Sequence, residues 1–132
     1  PNKSGSIPNL HILNISAGKQ ENFVNYPRIL ILAEKNSNLT ILDHYSSIGV
    51  HSHLTNTVME IELDENAQVE IIRLQDENKN AHHISMVASS QKKNSRLRLN
   101  TITSGAMETI NDTVNRLNEK GAEIILDGIL LV

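Results

Sequence analysis

From Tyr26 onward the apolar residues come in short runs with period two. The runs are rich in Ile, Val, Leu and Thr and are separated by Asn, Asp, Gly and Ser, the pattern of strands joined by turns. Helical spacing is hard to sustain anywhere. Met107, Ile110, Val114 and Leu117 fall at helical offsets, but Thr109, Thr113, Val114 and two Asn make that run a poor helix former. The pattern predicts a strand there. Residues 1–25 are polar, with Gly5, Pro8 and Gly18 and a single apolar cluster from Leu10 to Ile15 that could form one short strand. They read as an entry segment or N-terminal coil, with 26–132 as the repeating core.

The core repeats. Asn36-Ser37-Asn38-Leu39-Thr40-Ile41 is matched by Asn66-Ala67-Gln68-Val69-Glu70-Ile71, by Asn94-Ser95-Arg96-Leu97-Arg98-Leu99 and by Gly121-Ala122-Glu123-Ile124-Ile125-Leu126, at offsets of 30, 28 and 27 residues. Each copy opens with Asn or Gly, which tolerate positive φ and suit a tight corner. A small residue follows, and then an apolar-x-apolar pair that puts two side chains on one strand face. Stacked, the copies form columns: Leu39, Val69, Leu97, Ile124, then Ile41, Ile71, Leu99, Leu126. A third column, His44, Leu74, Ile102, Ile129, comes after a step of three, which predicts a bulge or bend that changes the inward face. Upstream strands are expected at Ile29–Ala33, Val58–Leu63, Ile84–Ala88 and Thr113–Leu117. Two strands and two turns in about 28 residues are too few for a propeller blade and fit a stacked parallel β-helix. The alternative is an antiparallel sandwich with coincidental spacing.

Composition narrows the function classes. The 132 residues make about one domain, and aromatics are 2% (Phe23, Tyr26 and Tyr45, with no Trp), so the core is aliphatic. A net charge of −3 and a pI near 6.1 argue against a nucleic-acid-binding surface. No apolar run reaches the ~18 residues of a membrane span, and no signal peptide opens the chain. The absence of Cys excludes a disulfide scaffold, a thiolate nucleophile and a cysteinyl zinc site, and fits a cytoplasmic protein. A chain opening on Pro1 and closing on Leu130-Leu131-Val132 reads as a piece of something longer.

Histidines are the sharpest chemical feature. His44, His51 and His53 lie within ten residues, and His82 and His83 are adjacent. His51-Ser52-His53 followed by Glu60 superficially resembles the metal motif of cupins, since alternate strand residues share a face and a carboxylate adds a hard ligand. The Glu comes later than in cupins, and no second motif supplies a further ligand. The other reading is exposed loop histidines. A cupin-like metal-dependent enzyme using His51, His53 and Glu60 therefore stands as the alternative function. There is no nucleophile elbow or phosphate loop. Glu60 and Glu62 alternate with Met59, Ile61 and Leu63 as the solvated face of a strand, and Lys92, Lys93, Arg96 and Arg98 read as another solvated face.

The serial pattern resembles the SufB/SufD family. Tyr26-Pro27-Arg28-Ile29-Leu30-Ile31 with Glu34, the Asn36 corner and Asp43-His44-Tyr45 carry the likeness. It continues through Leu54 to Ile61, Glu65 to Glu70, Leu74 to Glu77, Ala81 to Ile84, Leu117 to Glu123 and Leu126-Asp127-Gly128. It is more like SufD, because His44-Tyr45-Ser46 stands where SufB proteins tend to carry a Gly-Cys segment. Ile110 departs from the family, which usually has Arg before the Asn-Asp pair. The resemblance implies a right-handed parallel β-helix. It also implies a non-enzymatic scaffold role in iron–sulfur cluster assembly, within a complex of SufB-like and SufC-like subunits that handles the cluster. The Cys-x-His-type element of SufD lies beyond the matched stretch, so no catalytic, cofactor-binding or metal residue is transferred, and no cofactor is expected in this chain. A cut solenoid exposes strand edges, which predicts self-association through an end coil, at Ile124 to Val132.

Overall fold

The computed structural model describes residues 9–18 and 20–131. The corners explain the repeat. Asn36, Asn66, Asn94 and Gly121 have φ of 59°, 58°, 54° and 79°. Each is the third residue of a four-residue turn closed by a backbone bond, as in Ser37 N–H to Glu34 O and Ala67 N–H to Asp64 O, both 3.0 Å. The corners stack: Asn36 N–H donates to Glu65 O, and Asn66 N–H to Lys93 O. The Asn66 amide also donates to Asn36 Oδ1 at 3.0 Å. At the last corner a Cβ on residue 121 would lie 2.3 Å from Asn94 Oδ1, so any side chain there would displace the Asn94 amide, while the positive φ is one that Asn accepts at the other three corners. The small residues that follow, Ala67 and Ser95, are fully buried against the bend.

The chain between corners is strand. In order these are β1 (Asn9–Ser16), β2 (Phe23–Asn25), β3 (Arg28–Ala33), β4 (Asn38–Ser47), β5 (His53–Leu63), β6 (Gln68–Asp76), β7 (Ala81–Gln91), β8 (Arg96–Ser104), β9 (Glu108–Leu117) and β10 (Glu123–Leu131). One sheet runs β1-β4-β6-β8-β10. The other runs β2-β5-β7-β9, with β3 also paired to β5. Every pairing is parallel. The protein is a β-solenoid of about four turns, about 28 residues each, and the antiparallel alternative is excluded. Of the run Met107–Leu117, Glu108–Leu117 is strand, as its composition predicts, and Leu10–Ile15 lies within β1, which adds a coil before the first repeat.

The first two columns are rows of the interior. Leu39, Val69, Leu97 and Ile124 are paired in register, as are Ile41, Ile71, Leu99 and Leu126. All of these except Leu126, which is 52% exposed, pack with Ile31, Met59, Ile61, Leu63 and Val87 of the facing sheet. Fully burying one such side chain contributes about 1.5–3 kcal/mol.

The third column is corrected. Burial in β4 and β6 alternates without a break, so no bulge intervenes after Ile41. The next inward row is Asp43, Arg73, Thr101, Gly128, and His44, Leu74, Ile102 and Ile129 lie on the outer face. Asp43 and Arg73 occupy inward positions because each is the other's partner across successive coils, at 2.9 Å. The interior thus has an aliphatic half beside the Asn corners and a polar half beside the opposite corner.

Candidate functional site

The polar half of the interior holds the chain's concentrated chemistry. At its centre is Glu77, just past β6, 3% exposed. The inward parity of β5 and β7 aims His53, Thr55 and His83 at it. His83 donates from Nδ1 to Glu77 Oε2 at 2.7 Å, and His53 from Nε2 to Oε1 at 3.1 Å. Thr55 donates to the same Oε1, and the Gln75 amide to Oε2 at 3.3 Å. His53 Nδ1 faces the His51 carbonyl oxygen at 3.2 Å. Both ring nitrogens of His53 therefore face oxygen atoms. Phe23 stacks on His53 at 5.0 Å, and the Tyr45 and His83 rings meet edge-on at 5.0 Å. Burial alone would push the Glu77 carboxyl up, but the hydrogen bonds from His83, Thr55 and His53 and the charge of His83 outweigh it and hold the group below its ordinary range.

A second pair adjoins the first. Arg73 donates from Nε to Asp43 Oδ2 at 2.9 Å and from Nη1 to Ser85 Oγ at 3.0 Å, and the Ser85 hydroxyl donates in turn to Asn111 Oδ1 at 2.7 Å. Both charged groups are buried, and the Arg73 guanidinium also lies 5.5 Å from the centre of the Tyr45 ring. Burial raises the Asp43 carboxyl despite Arg73. The Tyr45 hydroxyl, bonded to Thr57 Oγ1 at 2.8 Å, is pushed up to about 12 by burial and then by the Asp43 charge.

The structure scatters most of the residues singled out from sequence. His51 sits in an exposed loop, bonded through Nδ1 to Glu21 at 3.1 Å. His53 points inward, and Glu60 faces outward from the same strand, seven residues and ~23 Å further along. The trio His51, His53 and Glu60 is therefore not assembled, because an odd separation on a strand puts side chains on opposite faces. Among the described residues no group of three His, Cys, Asp or Glu has an arrangement that could hold a metal ion. His44 faces outward to Asp76 at 3.0 Å and stacks on His11, and His82 faces outward to Glu108 at 3.3 Å. Glu60 and Glu62 are exposed, as their alternation predicts.

Sequence reasoning passed over Asp43, Arg73, Tyr45, Thr55, Gln75 and Glu77. The signal was parity: Asp43 and Tyr45 stand two and four residues after inward Ile41. Chemically the cluster can hold charge, exchange protons and lock coil to coil. His53, His83 and Glu77 are sealed from solvent, with side chains at most 1% exposed. A cavity lined by Asn22, Phe23, Ser52, His53 and His82 lies beside the stacked Phe23 and His53 rings.

Comparison with known proteins gives a consistent picture. Residues 14–132 match the family described as SUF system FeS cluster assembly, SufBD core domain. The chain is 33% identical over 105 residues to an iron–sulfur cluster assembly SufBD family protein of Synechocystis sp., covering 74% of this chain and 23% of that protein. The chain thus spans about a quarter of the curated relative. No solved structure matches. Among the described residues no helix is long and apolar enough to cross a membrane.

Proposed function

The chain belongs to the SufBD family of iron–sulfur cluster assembly proteins, and from that premise we propose that it is the solenoid core of a SufD-like scaffold subunit. It works in the cytoplasm beside SufB-like and SufC-like partners, which handle the nascent cluster, while this chain performs no turnover chemistry and holds no cofactor of its own. One observation carries the reading: the ionisable cluster is closed to solvent, whereas the outer faces of both sheets are open. Glu77 and the two imidazoles bonded to it are buried, with side chains at most 1% exposed. The chain's Cys-free composition leaves it no thiolate to ligate iron or carry sulfur.

The test is co-expression of the full-length protein with SufB-like and SufC-like subunits, reading co-purification and maturation of an iron–sulfur target enzyme. Glu77→Gln in that protein should leave maturation intact at a temperature where the variant stays folded. Loss of maturation by a folded, complex-forming E77Q variant would refute the scaffold reading. Failure to co-purify with either subunit would refute the SufD-like assignment.

A further inference from the structure

Most carboxylates of this chain are engaged by a donor. Of its 15 Asp and Glu side chains, Glu34, Glu60 and Glu62 are the ones with no hydrogen-bond or ion-pair partner among the described residues. These three lie together. Glu60 and Glu62 point outward from β5, two residues and about 6.6 Å apart along the strand. Glu34 joins Glu62 around a surface cleft of about 190 Å³, walled also by Leu32, Asp64, Ser90 and Lys92. The register sets Glu60 between Leu30 and Ala88, and Glu62 between Leu32 and Ser90. Leu30 and Leu32 are 61% and 63% exposed. The small side chains of β7 leave a trough beside the two carboxylates, with Val114 of β9 on its far side. The solvent face of a strand ordinarily reads polar, so exposed leucines set beside unpaired charges mark a contact surface.

Charge selects the occupant. Lys92 is held by Asp64 at 3.2 Å and Lys35 by Glu65 at 2.6 Å. Arg28, at the other end of β3, donates to the carbonyl oxygens of Pro27 and Asn56. Arg116 stands in the Glu62 row, two strands away on β9, at about 10 Å. The patch therefore sets three unpaired carboxylates against one unpaired guanidinium, and the exposed Asp112 adds to the negative side. Nucleic acid and anionic lipid are repelled, and a second copy would bring carboxylate against carboxylate. A segment lying across a sheet face finds no ladder there, so its backbone bonds must be internal, as in a helix.

We propose that the outer face of β3-β5-β7-β9 docks a basic amphipathic helix of a partner protein. Lys or Arg residues at i and i+4, about 6 Å apart, match the spacing of Glu60 and Glu62. Their aliphatic stems lie over Ala88 and Ser90, and an apolar stripe beside them covers Leu30 and Leu32. Four strands at about 4.8 Å and three rows at about 6.6 Å bound the patch to roughly 19 by 20 Å, or ~380 Å² per partner. That is below the standard interface size, so the contact is transient and salt-sensitive. The docking does not depend on the scaffold role.

The probe is a capped helical peptide of Ala, Leu and Lys, about 18 residues long, with Lys at i and i+4 beside a Leu stripe. Titrated into the isotope-labelled 132-residue chain, it should give saturable amide shifts centred on β3, β5 and β7. E60Q/E62Q should weaken binding at least about fivefold, as should raising the salt from ~0.05 to ~0.5 M. E123Q/D127N, on the other sheet's outer face, should leave it unchanged. The same peptide with Glu for every Lys should not bind. Equal affinity for E60Q/E62Q, shifts centred on β4, β6 and β8, binding of the Glu peptide, or no saturable binding at millimolar peptide would each overturn the proposal. So would association with phosphatidylserine vesicles, or self-association through these strands, since either gives the face a different occupant.

Discussion

Replacing Glu77 by Gln tests the sealed cluster directly. The substitution keeps the shape and removes the charge that His53, His83 and Thr55 address. A hydrogen bond to a charged group contributes about 1.5–3 kcal/mol, against about 1 for a neutral pair. With two imidazole contacts weakened, the expected loss is about 2–3 kcal/mol at pH 7. Glu77→Leu, which leaves both rings facing an apolar group, should cost about 3–5 kcal/mol. For 132 residues total stability is of order 7–20 kcal/mol, so either change is large. At about 2.1 cal/mol/K per residue, a 2.5 kcal/mol loss lowers Tm by roughly 9 °C. Urea unfolding followed by circular dichroism supplies the free energies, and the pH dependence supplies the specificity. The folded Glu77 carboxyl lies below its ordinary value of 4.5. Its contribution is fully present above that pH and is lost as pH falls through the folded value. The gap between wild type and E77Q should therefore be constant from pH 7 to about 5 and close on further acidification. Asp43 acts with the opposite sign, because its folded carboxyl is raised above 3.8 and proton uptake there favours the folded chain. Both proteins carry Asp43, so the difference isolates Glu77. A gap below about 0.5 kcal/mol at pH 7, or one that persists unchanged at pH 3, would refute the reasoning.

Three further outcomes follow from named contacts. Arg73→Met strands the buried Asp43 carboxylate and should cost about 3–5 kcal/mol in urea unfolding, and R73M/D43L should recover much of the loss because no lone charge remains. Asn66→Gly should change stability by under about 0.5 kcal/mol, whereas Asn66→Val, at φ 58°, should cost at least 1–2 kcal/mol and lower the thermal midpoint. Leu97→Ala, at the centre of the first interior row with no exposure, should cost about 2.7–5 kcal/mol, the range for buried leucines.

The sequence alone determined the features that depend on local chemistry and period. Asn36, Asn66, Asn94 and Gly121 marked the corners because few residues accept positive φ. Val69 with Ile71, and Leu97 with Leu99, marked the inward face because two apolar side chains two residues apart share one side of a strand. Constant offsets between copies then implied stacking, and the row Leu39, Val69, Leu97, Ile124 is in register. Beyond Ile41 the same logic misread the interior. It treated Asp43 and Tyr45 as outward and stepped to His44, because hydrophobicity assigns a polar residue to water. The same bias hid the first residues of β5 and β7, whose inward positions are His53, Thr55 and Thr57, and His83 and Ser85. Only the tertiary structure decided these positions. A polar side chain can face inward when a partner waits there, and the partners lie far off in sequence: 30 residues from Asp43 to Arg73, and 24 from His53 to Glu77. Coil stacking brings them to within 3.1 Å or less, so their burial is a property of the stack and of no single segment.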